Sequence, residues 1–217
     1  MACLEYKIRH PKKQTSKAPP LLLLLHGYGS NEDDLFSFAD YLHEDFLVIS
    51  VRAPYVLQPM GYAWYAIHFD QDLGKWSDDE QAKKSTKIIM QFLKELQNEQ
   101  TFDQTQIHLL GFSQGGILSY ALGLSYPNKF KSIAVLSGYL NQNITQLQTD
   151  QEVPSIFVAH GTLDEVVPYA WGEASVRLLN EKGIKPEVSY EDVGHTLGQK
   201  GFQNLIKWHE KLRANHG

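Results

Sequence analysis

The sequence Gly111-Phe112-Ser113-Gln114-Gly115 lies between two apolar stretches of different character. Residues 107–110 are typical of a buried strand, and residues 116–124 are typical of a buried helix. A direct turn from strand to helix forces the serine into a strained backbone geometry, and flanking glycines avoid collisions with both elements. The pattern predicts that the Ser113 hydroxyl stands at the carboxyl edge of a sheet as a nucleophile. The next N–H, on Gln114, would then face an oxyanion from the helix N-terminus.

The rest of the chain alternates between apolar runs and amphipathic helical patterns. Such alternation is typical of a mostly parallel sheet covered by helices on both faces. We therefore predict an α/β fold formed as one domain over residues 1–217. Residues 33–43 are predicted to form a helix, and residues 53–77 a long ordered loop. Neither residues 53–77 nor residues 138–152 are long enough to form a large cap domain.

Composition and charge narrow the class of protein. The 217 residues carry a formal net charge of −5, and no cluster of Lys or Arg recurs along a helix, which argues against a nucleic-acid partner. The single cysteine, Cys3, excludes an intramolecular disulfide and fits a reducing compartment. Residues 1–10 are charged throughout, unlike a signal peptide, and the apolar run 21–25 is too short to span a bilayer. We expect a cytoplasmic protein without stable membrane insertion.

A serine hydroxyl is a poor nucleophile at neutral pH and needs a base and an orienting acid. When the serine lies in a strand–turn–helix motif of this kind, the acid and then the histidine follow it along the chain. Asp164 lies in the loop after the predicted strand 155–159, and His195 lies just after the predicted strand 187–190. Parallel strands present their carboxyl ends at one edge of a sheet, so both loops are expected beside Ser113.

Two other carboxyl groups compete with Asp164 for the role of the acid. Glu165 is its immediate neighbour, and Asp192 is close to His195 in sequence. Asp192 stands at a strand end and would face away from an imidazole three residues later. The position in the loop therefore favours Asp164.

The remaining histidines are interpreted as structural or exposed. His26 and His160 each begin a His-Gly pair at a strand end, and we expect both to brace loops through buried hydrogen bonds. A metal site formed by His26, His160 and His195 is the alternative, but no His-Glu-x-x-His pair supports it. The sequence therefore predicts neither a metal nor a cofactor.

A second glycine-rich turn follows the first strongly apolar run. Residues 25–29 read Leu-His-Gly-Tyr-Gly, and the two glycines flank Tyr28. They let the backbone turn sharply and leave the Tyr28 N–H free. We predict that this N–H is the second donor of an oxyanion hole, although a simple strand–helix turn would have the same composition.

Taken together, these motifs resemble the small phospholipase/carboxylesterase family of α/β-hydrolases, which includes acyl-protein thioesterases. The resemblance implies the α/β-hydrolase fold, a triad of Ser113, Asp164 and His195, and an oxyanion hole formed by the N–H groups of Tyr28 and Gln114. The matching segments follow the family's order over nearly the whole chain: residues 25–29, 52–54, 64–65, 111–116, 136–138, 160–164, 167–168 and 194–195.

The chain departs from the family pattern beside the aromatic pair. Many members have an acidic residue after this pair, whereas here Ala66 follows Tyr65, and residues 67–74 look particular to this branch. These differences concern acyl preference rather than the reaction. The candidate walls of an apolar substrate site are Trp64, Tyr65, Leu73, Phe112 and Val166.

The expected reaction is hydrolysis of a carboxylic ester or thioester through an acyl-enzyme intermediate. The expected partner is a small-molecule ester or acyl substrate, with an acylated protein and a homodimer as open possibilities. Two alternatives remain at this point. One is another serine-hydrolase chemistry, such as dienelactone or peptide hydrolysis, and the other is a non-catalytic binding protein that retains the α/β-hydrolase fold.

Overall fold

The computed structural model of the chain describes residues 3–13, 17–70, 74–148 and 151–214. The strands are β1 (Tyr6–Arg9), β2 (Pro20–Leu25), β3 (Leu47–Val51), β4 (Tyr55–Val56), β5 (Tyr62–Ala63), β6 (Ile67–Asp70), β7 (Gly74–Ser77), β8 (Asp103–Phe112), β9 (Ser132–Leu136), β10 (Ser155–Gly161) and β11 (Glu187–Glu191). The helices are α1 (Asp79–Glu99), α2 (Gln114–Ser125), α3 (Tyr169–Glu181) and α4 (Gln199–Ala214).

Seven of these strands form a central sheet in the order β1-β3-β2-β8-β9-β10-β11. Only β1, at one edge, pairs in antiparallel fashion, and it does so with β3. The other five pairings are parallel. The carboxyl ends of six strands therefore lie along one edge of the sheet, as predicted from the alternation of apolar runs and helices.

Helices cover both faces of this sheet. In β2 the side chains of Leu21, Leu23 and Leu25 pack with apolar residues of α1, α2 and α3. The alternate residues Leu22 and Leu24 face a second cluster that includes residues of α4. Because successive side chains of a strand point to opposite faces, a continuous run of leucines is what a sheet buried on both faces requires. No helix within the described ranges is long and apolar enough to cross a membrane.

The prediction of a helix over residues 33–43 is correct only in part. The structure has a short 3-10 helix, Leu35–Asp40, whose next amide, Tyr41 N–H, bonds to Phe38 O at 2.9 Å, three residues back. The Arg9 guanidinium from β1 donates to the carbonyls of Ala39 (2.9 Å) and residue 43 (3.1 Å). These carbonyls are thereby satisfied without a continuing α-helix, which is a long-range contact that periodicity cannot reveal.

The predicted loop 53–77 contains regular structure. It forms two short antiparallel hairpins, β4–β5 and β6–β7. The first is tied to the turn after β2, because Gly29 N–H donates to Tyr62 O and Tyr62 N–H donates to Ser30 O, both at 2.9 Å. Helix α1 begins directly after the second hairpin, where the Asp78 carboxylate caps it by accepting from Gln81 N–H at 2.9 Å.

Candidate active site

Ser113 occupies the turn between β8 and α2, and its backbone is strained. Its φ of 53° and ψ of −115° are unusual for a residue with a side chain. The two glycines of the motif are required by close backbone packing: a Cβ on Gly111 would lie 2.2 Å from Gly115 O, and a Cβ on Gly115 would lie 1.9 Å from Leu25 O. The Ser113 N–H donates to Leu136 O at 2.9 Å, which ties the turn to β9.

His195, in the loop after β11, contacts both Ser113 and Asp164. Its Nε2 lies 3.0 Å from Ser113 Oγ, and its Nδ1 lies 2.7 Å from Asp164 Oδ2. A carboxylate only accepts hydrogen bonds, so the Nδ1 position carries the proton and Nε2 is free to accept one from the hydroxyl. This is the tautomer that a general base for Ser113 needs.

Asp164 is held rigidly in the loop after β10. Its side chain is completely buried, and its Oδ1 accepts the N–H groups of Val166 and Val167, both at 2.9 Å. The competing carboxyl groups are elsewhere: Asp192 accepts from Thr162 Oγ1 at 2.6 Å, and Glu165 is exposed. The structure therefore brings Asp164, rather than either alternative, to His195.

A second imidazole, that of His160, also approaches Asp164. Its Nε2 lies 2.9 Å from Val167 O and 3.4 Å from Asp164 Oδ2, and its side chain is completely buried. The carbonyl acceptor places the proton on Nε2, while Nδ1 is buried without a partner among the described residues. The ring packs so closely on α3 that a Cβ on Gly172 would lie 2.4 Å from Nδ1. The sequence indicated that His160 braces a loop, but not that it lies beside the acid.

The two predicted oxyanion donors lie on the same cavity as Ser113. Within the described residues, neither the Tyr28 N–H nor the Gln114 N–H has a hydrogen-bond acceptor. The Gln114 amide is free because the first N–H groups of a helix have no intrahelical partner. The Gln114 side chain faces away from the reaction centre: its Oε1 accepts from Trp64 N–H at 3.0 Å and its Nε2 donates to Tyr65 O at 2.8 Å.

His26 supports the turn that carries Tyr28. Its Nδ1–H donates to Gly27 O at 2.7 Å, and its Nε2 accepts the Ala53 N–H at 3.0 Å. Burial lowers the pKa of His26, consistent with a neutral ring whose two nitrogens have opposite roles. The indole N–H of Trp64 donates to His26 O at 2.9 Å, so the same cluster joins the turn to the first hairpin.

A cavity of about 650 Å³ opens beside Ser113, Tyr28, Gln114 and His195. Three of the predicted wall residues line it: Tyr65, Phe112 and Val166. Trp64 does not, because it is completely buried in the core beneath the turn. Leu73 lies outside the described residues.

Sequence reasoning missed four notable residues of this cavity. The aromatic residues Tyr139 and Trp171 line it, and so do the carboxylates of Asp34 and Asp79. Both aromatics stand close to recognised motifs, since Tyr139 directly follows residues 136–138 and Trp171 lies shortly after Pro168. Their proximity to these motifs was the signal from which Tyr139 and Trp171 could have been identified in the sequence. Among the described residues, no group of three or more His, Cys, Asp or Glu side chains is arranged to hold a metal ion.

Comparisons with known proteins agree with this geometry. The sequence profile of the phospholipase/carboxylesterase family matches residues 7–213. A probable carboxylesterase, SOBER1-like, of Arabidopsis thaliana is 28% identical, covering 91% of this chain and 80% of the relative. Acyl-protein thioesterase 1 of Mycosarcoma maydis is 27% identical, covering 98% of each chain. The crystal structure of the Bacillus cereus carboxylesterase superposes with a TM-score of 0.81 at 27% identity, covering 97% of this chain and 95% of that one.

The parallel sheet with helices on both faces and the strained serine at its carboxyl edge define a serine hydrolase of the α/β-hydrolase fold. Within that class, the match over residues 7–213 shows that the chain belongs to the phospholipase/carboxylesterase family.

Proposed function

We propose that this enzyme hydrolyses carboxylic esters or thioesters through an acyl-enzyme formed on Ser113. The observation that carries the proposal is the unbroken hydrogen-bonded chain from Ser113 Oγ to His195 and on to Asp164, with contacts of 3.0 Å and 2.7 Å. The hydroxyl attacks the acyl carbon while His195 Nε2 takes its proton. Asp164 keeps the ring in the required tautomer and stabilises the imidazolium.

The negative charge that develops on the carbonyl oxygen is stabilised by the N–H groups of Tyr28 and Gln114. Two observations support this role: neither N–H has another acceptor in the part of the chain that the structure describes, and both residues line the Ser113 cavity. His195 then protonates the leaving alcohol or thiol, which departs. A water molecule, deprotonated by His195, attacks the acyl-enzyme and regenerates Ser113.

The names of the relatives support esters and thioesters as the substrate class. They include carboxylesterases and acyl-protein thioesterases, so the proposal covers small-molecule esters and acylated proteins. The lone cysteine supports a cytoplasmic location, as expected from the sequence. A panel of esters, thioesters, dienelactones and peptides distinguishes the proposed reaction from dienelactone and peptide hydrolysis. A preference for dienelactones or peptides over esters and thioesters would contradict the proposed reaction.

The test is replacement of Ser113 by alanine. The Ser113→Ala variant should lose about 10⁴- to 10⁶-fold in kcat on a p-nitrophenyl ester and should no longer react with a fluorophosphonate probe. The control is Ser119→Ala, which changes a buried serine of α2 whose hydroxyl donates to Gly115 O at 2.8 Å. It should retain labelling and most of the turnover. A folded Ser113→Ala protein with normal turnover would exclude the proposal, because the ester would then be cleaved without Ser113.

A further inference from the structure

A second cavity adjoins the candidate active-site cavity, on the other side of two aromatic rings. It has a volume of about 340 Å³, and it shares Tyr139 and Trp171 with the cavity that contains Ser113. The centroids of these rings are 5.1 Å apart and their planes are inclined at 68°, an edge-to-face contact. The rings of Tyr139 and Trp171 therefore separate the two cavities, and we call this pair the partition.

The partition is anchored by a buried serine. Ser175 of α3 accepts the N–H of Leu140 at 2.8 Å and donates to the carbonyl of Trp171 at 2.7 Å. Its hydroxyl thus joins the loop after β9, which carries Tyr139, to the first turns of α3, which carry Trp171. One buried group therefore holds together the two backbone segments from which the rings project.

The second cavity, which lies on the far side of the aromatic pair and is called the far cavity, is suited to an alkyl chain. Leu140, Ala174 and Leu178 contribute apolar surface, and Gln142 and Ser175 are its neutral polar residues. No charged side chain of the described residues lines it. An alkyl chain would gain from burial there, while an ionic ligand would find no group of opposite charge.

We propose that the Tyr139–Trp171 pair limits the chain length of the substrate, and that the far cavity is the space this pair closes off. The occupant is the alkyl chain of an ester, in its acyl or its alcohol half. The inference rests on the proposed function, since it takes Ser113 as the reacting group. A methylene group needs roughly the 30 Å³ of a liquid water molecule, so 340 Å³ leaves room for several more carbons.

The test is truncation of the indole. Trp171→Ala removes one side of the partition and joins the two cavities. Each newly buried methylene adds about fourfold to kcat/KM. The ratio of kcat/KM for p-nitrophenyl dodecanoate to that for the butanoate should therefore rise at least about tenfold over the wild-type ratio. A parallel series of dodecyl and butyl acetates shows whether the chain in the cavity belongs to the acyl or the alcohol half. All esters are assayed below their micellar limits.

Three variants complete the experiment. Tyr126→Ala removes a similarly exposed aromatic residue away from both cavities and should leave the ratio unchanged. Trp171→Leu, a milder truncation, should shift the ratio in the same direction as Trp171→Ala and guards against misfolding of the latter. Adding Ala174→Trp to Trp171→Ala fills the far cavity and should restore the preference for short chains.

Two outcomes are distinct failures. Active Trp171→Ala and Trp171→Leu enzymes with unchanged chain-length ratios in both series would overturn the partition while leaving the hydrolase proposal intact. Absence of ester hydrolysis in the wild-type protein would instead overturn the proposed function, and the partition with it.

Discussion

At the scale of single residues, Ser113 shows how a reactive position is kept in an unfavourable conformation. A non-glycine residue at φ 53° and ψ −115° costs on the order of 1–3 kcal/mol. Neighbouring packing maintains it, because Gly111 and Gly115 let backbones approach where a Cβ would collide. The strain holds the hydroxyl 3.0 Å from His195 Nε2.

The assignment of the acid gives a prediction at this scale. Asp164→Asn preserves the size of the side chain and can retain its bonds to the Val166 and Val167 N–H groups. An amide, however, no longer offers His195 Nδ1–H a carboxylate acceptor. We expect kcat to fall by about 10⁴ through loss of the correct tautomer, with KM little changed. Asp192→Asn is the matched control, since Asp192 contacts Thr162. Steady-state kinetics check both; a larger loss for Asp192→Asn would move the acid to that residue.

At the scale of elements, the turn after β2 is anchored from several sides. Glu32 receives a bidentate contact from Arg52, with Nε at 2.7 Å and Nη2 at 2.5 Å, and this pairing lowers the pKa of Glu32. The Arg52 guanidinium also stacks 4.8 Å from the centroid of Tyr62 in β5. Together with His26, these contacts position the Tyr28 N–H relative to Ser113. They connect parts of the chain that no local pattern relates.

The neutral His26 ring makes the stability of this turn depend on pH. Burial lowers its pKa in the folded state, so below about pH 6.5 the unfolded chain binds a proton that the folded chain does not. The stability that the neutral His26 ring contributes is complete above that pH and is lost as the pH falls. Relative to His26→Gln, the wild-type protein should therefore lose up to about 1 kcal/mol more of its unfolding free energy between roughly pH 7.5 and 5.5.

Urea unfolding at a series of pH values measures this difference. The exposed His10 serves as the control, and His10→Gln should keep the wild-type pH dependence. Equal slopes for the wild-type protein and His26→Gln would mean that His26 is not the group responsible.

At the scale of the whole molecule, the parallel sheet brings distant parts of the chain to one edge. Tyr28, Ser113, Asp164 and His195 follow β2, β8, β10 and β11, which run parallel in the sheet with β9 between β8 and β10, so their carboxyl ends lie along one edge. The core on both faces of the sheet is the platform for this arrangement. Packing at the opposite end of the strands should therefore influence stability more than chemistry.

Leu21 tests that separation, because it is completely buried near the amino end of β2. Leu21→Ala should reduce the free energy of unfolding by about 2–5 kcal/mol, through lost burial and a residual cavity. Below its melting temperature the folded variant should retain kcat. The exposed Val56 provides the control, and Val56→Ala should change stability by less than about 0.5 kcal/mol. Chemical denaturation and kinetics on the same samples check both quantities.

The sequence by itself determined the features that depend on near neighbours in the chain. The strand–turn–helix at Ser113 follows from glycines that avoid steric collision, and the two-sided sheet follows from unbroken apolar runs such as residues 21–25. The order of Ser113, Asp164 and His195 along parallel strands was sufficient to predict that they lie together. Their hydrogen-bonded contact was then observed.

Only the tertiary structure decided where side chains meet across the fold. It placed Trp64 in the core instead of the cavity, brought His160 to Asp164, and set Tyr139 against Trp171. It also replaced the predicted helix over residues 33–43 by a short 3-10 helix, where Arg9 of β1 satisfies the carbonyls of Ala39 and His43. The physical reason is the same throughout. Periodicity and turn chemistry report on local backbone preferences, whereas the direction and partners of a buried side chain depend on packing between elements far apart in sequence.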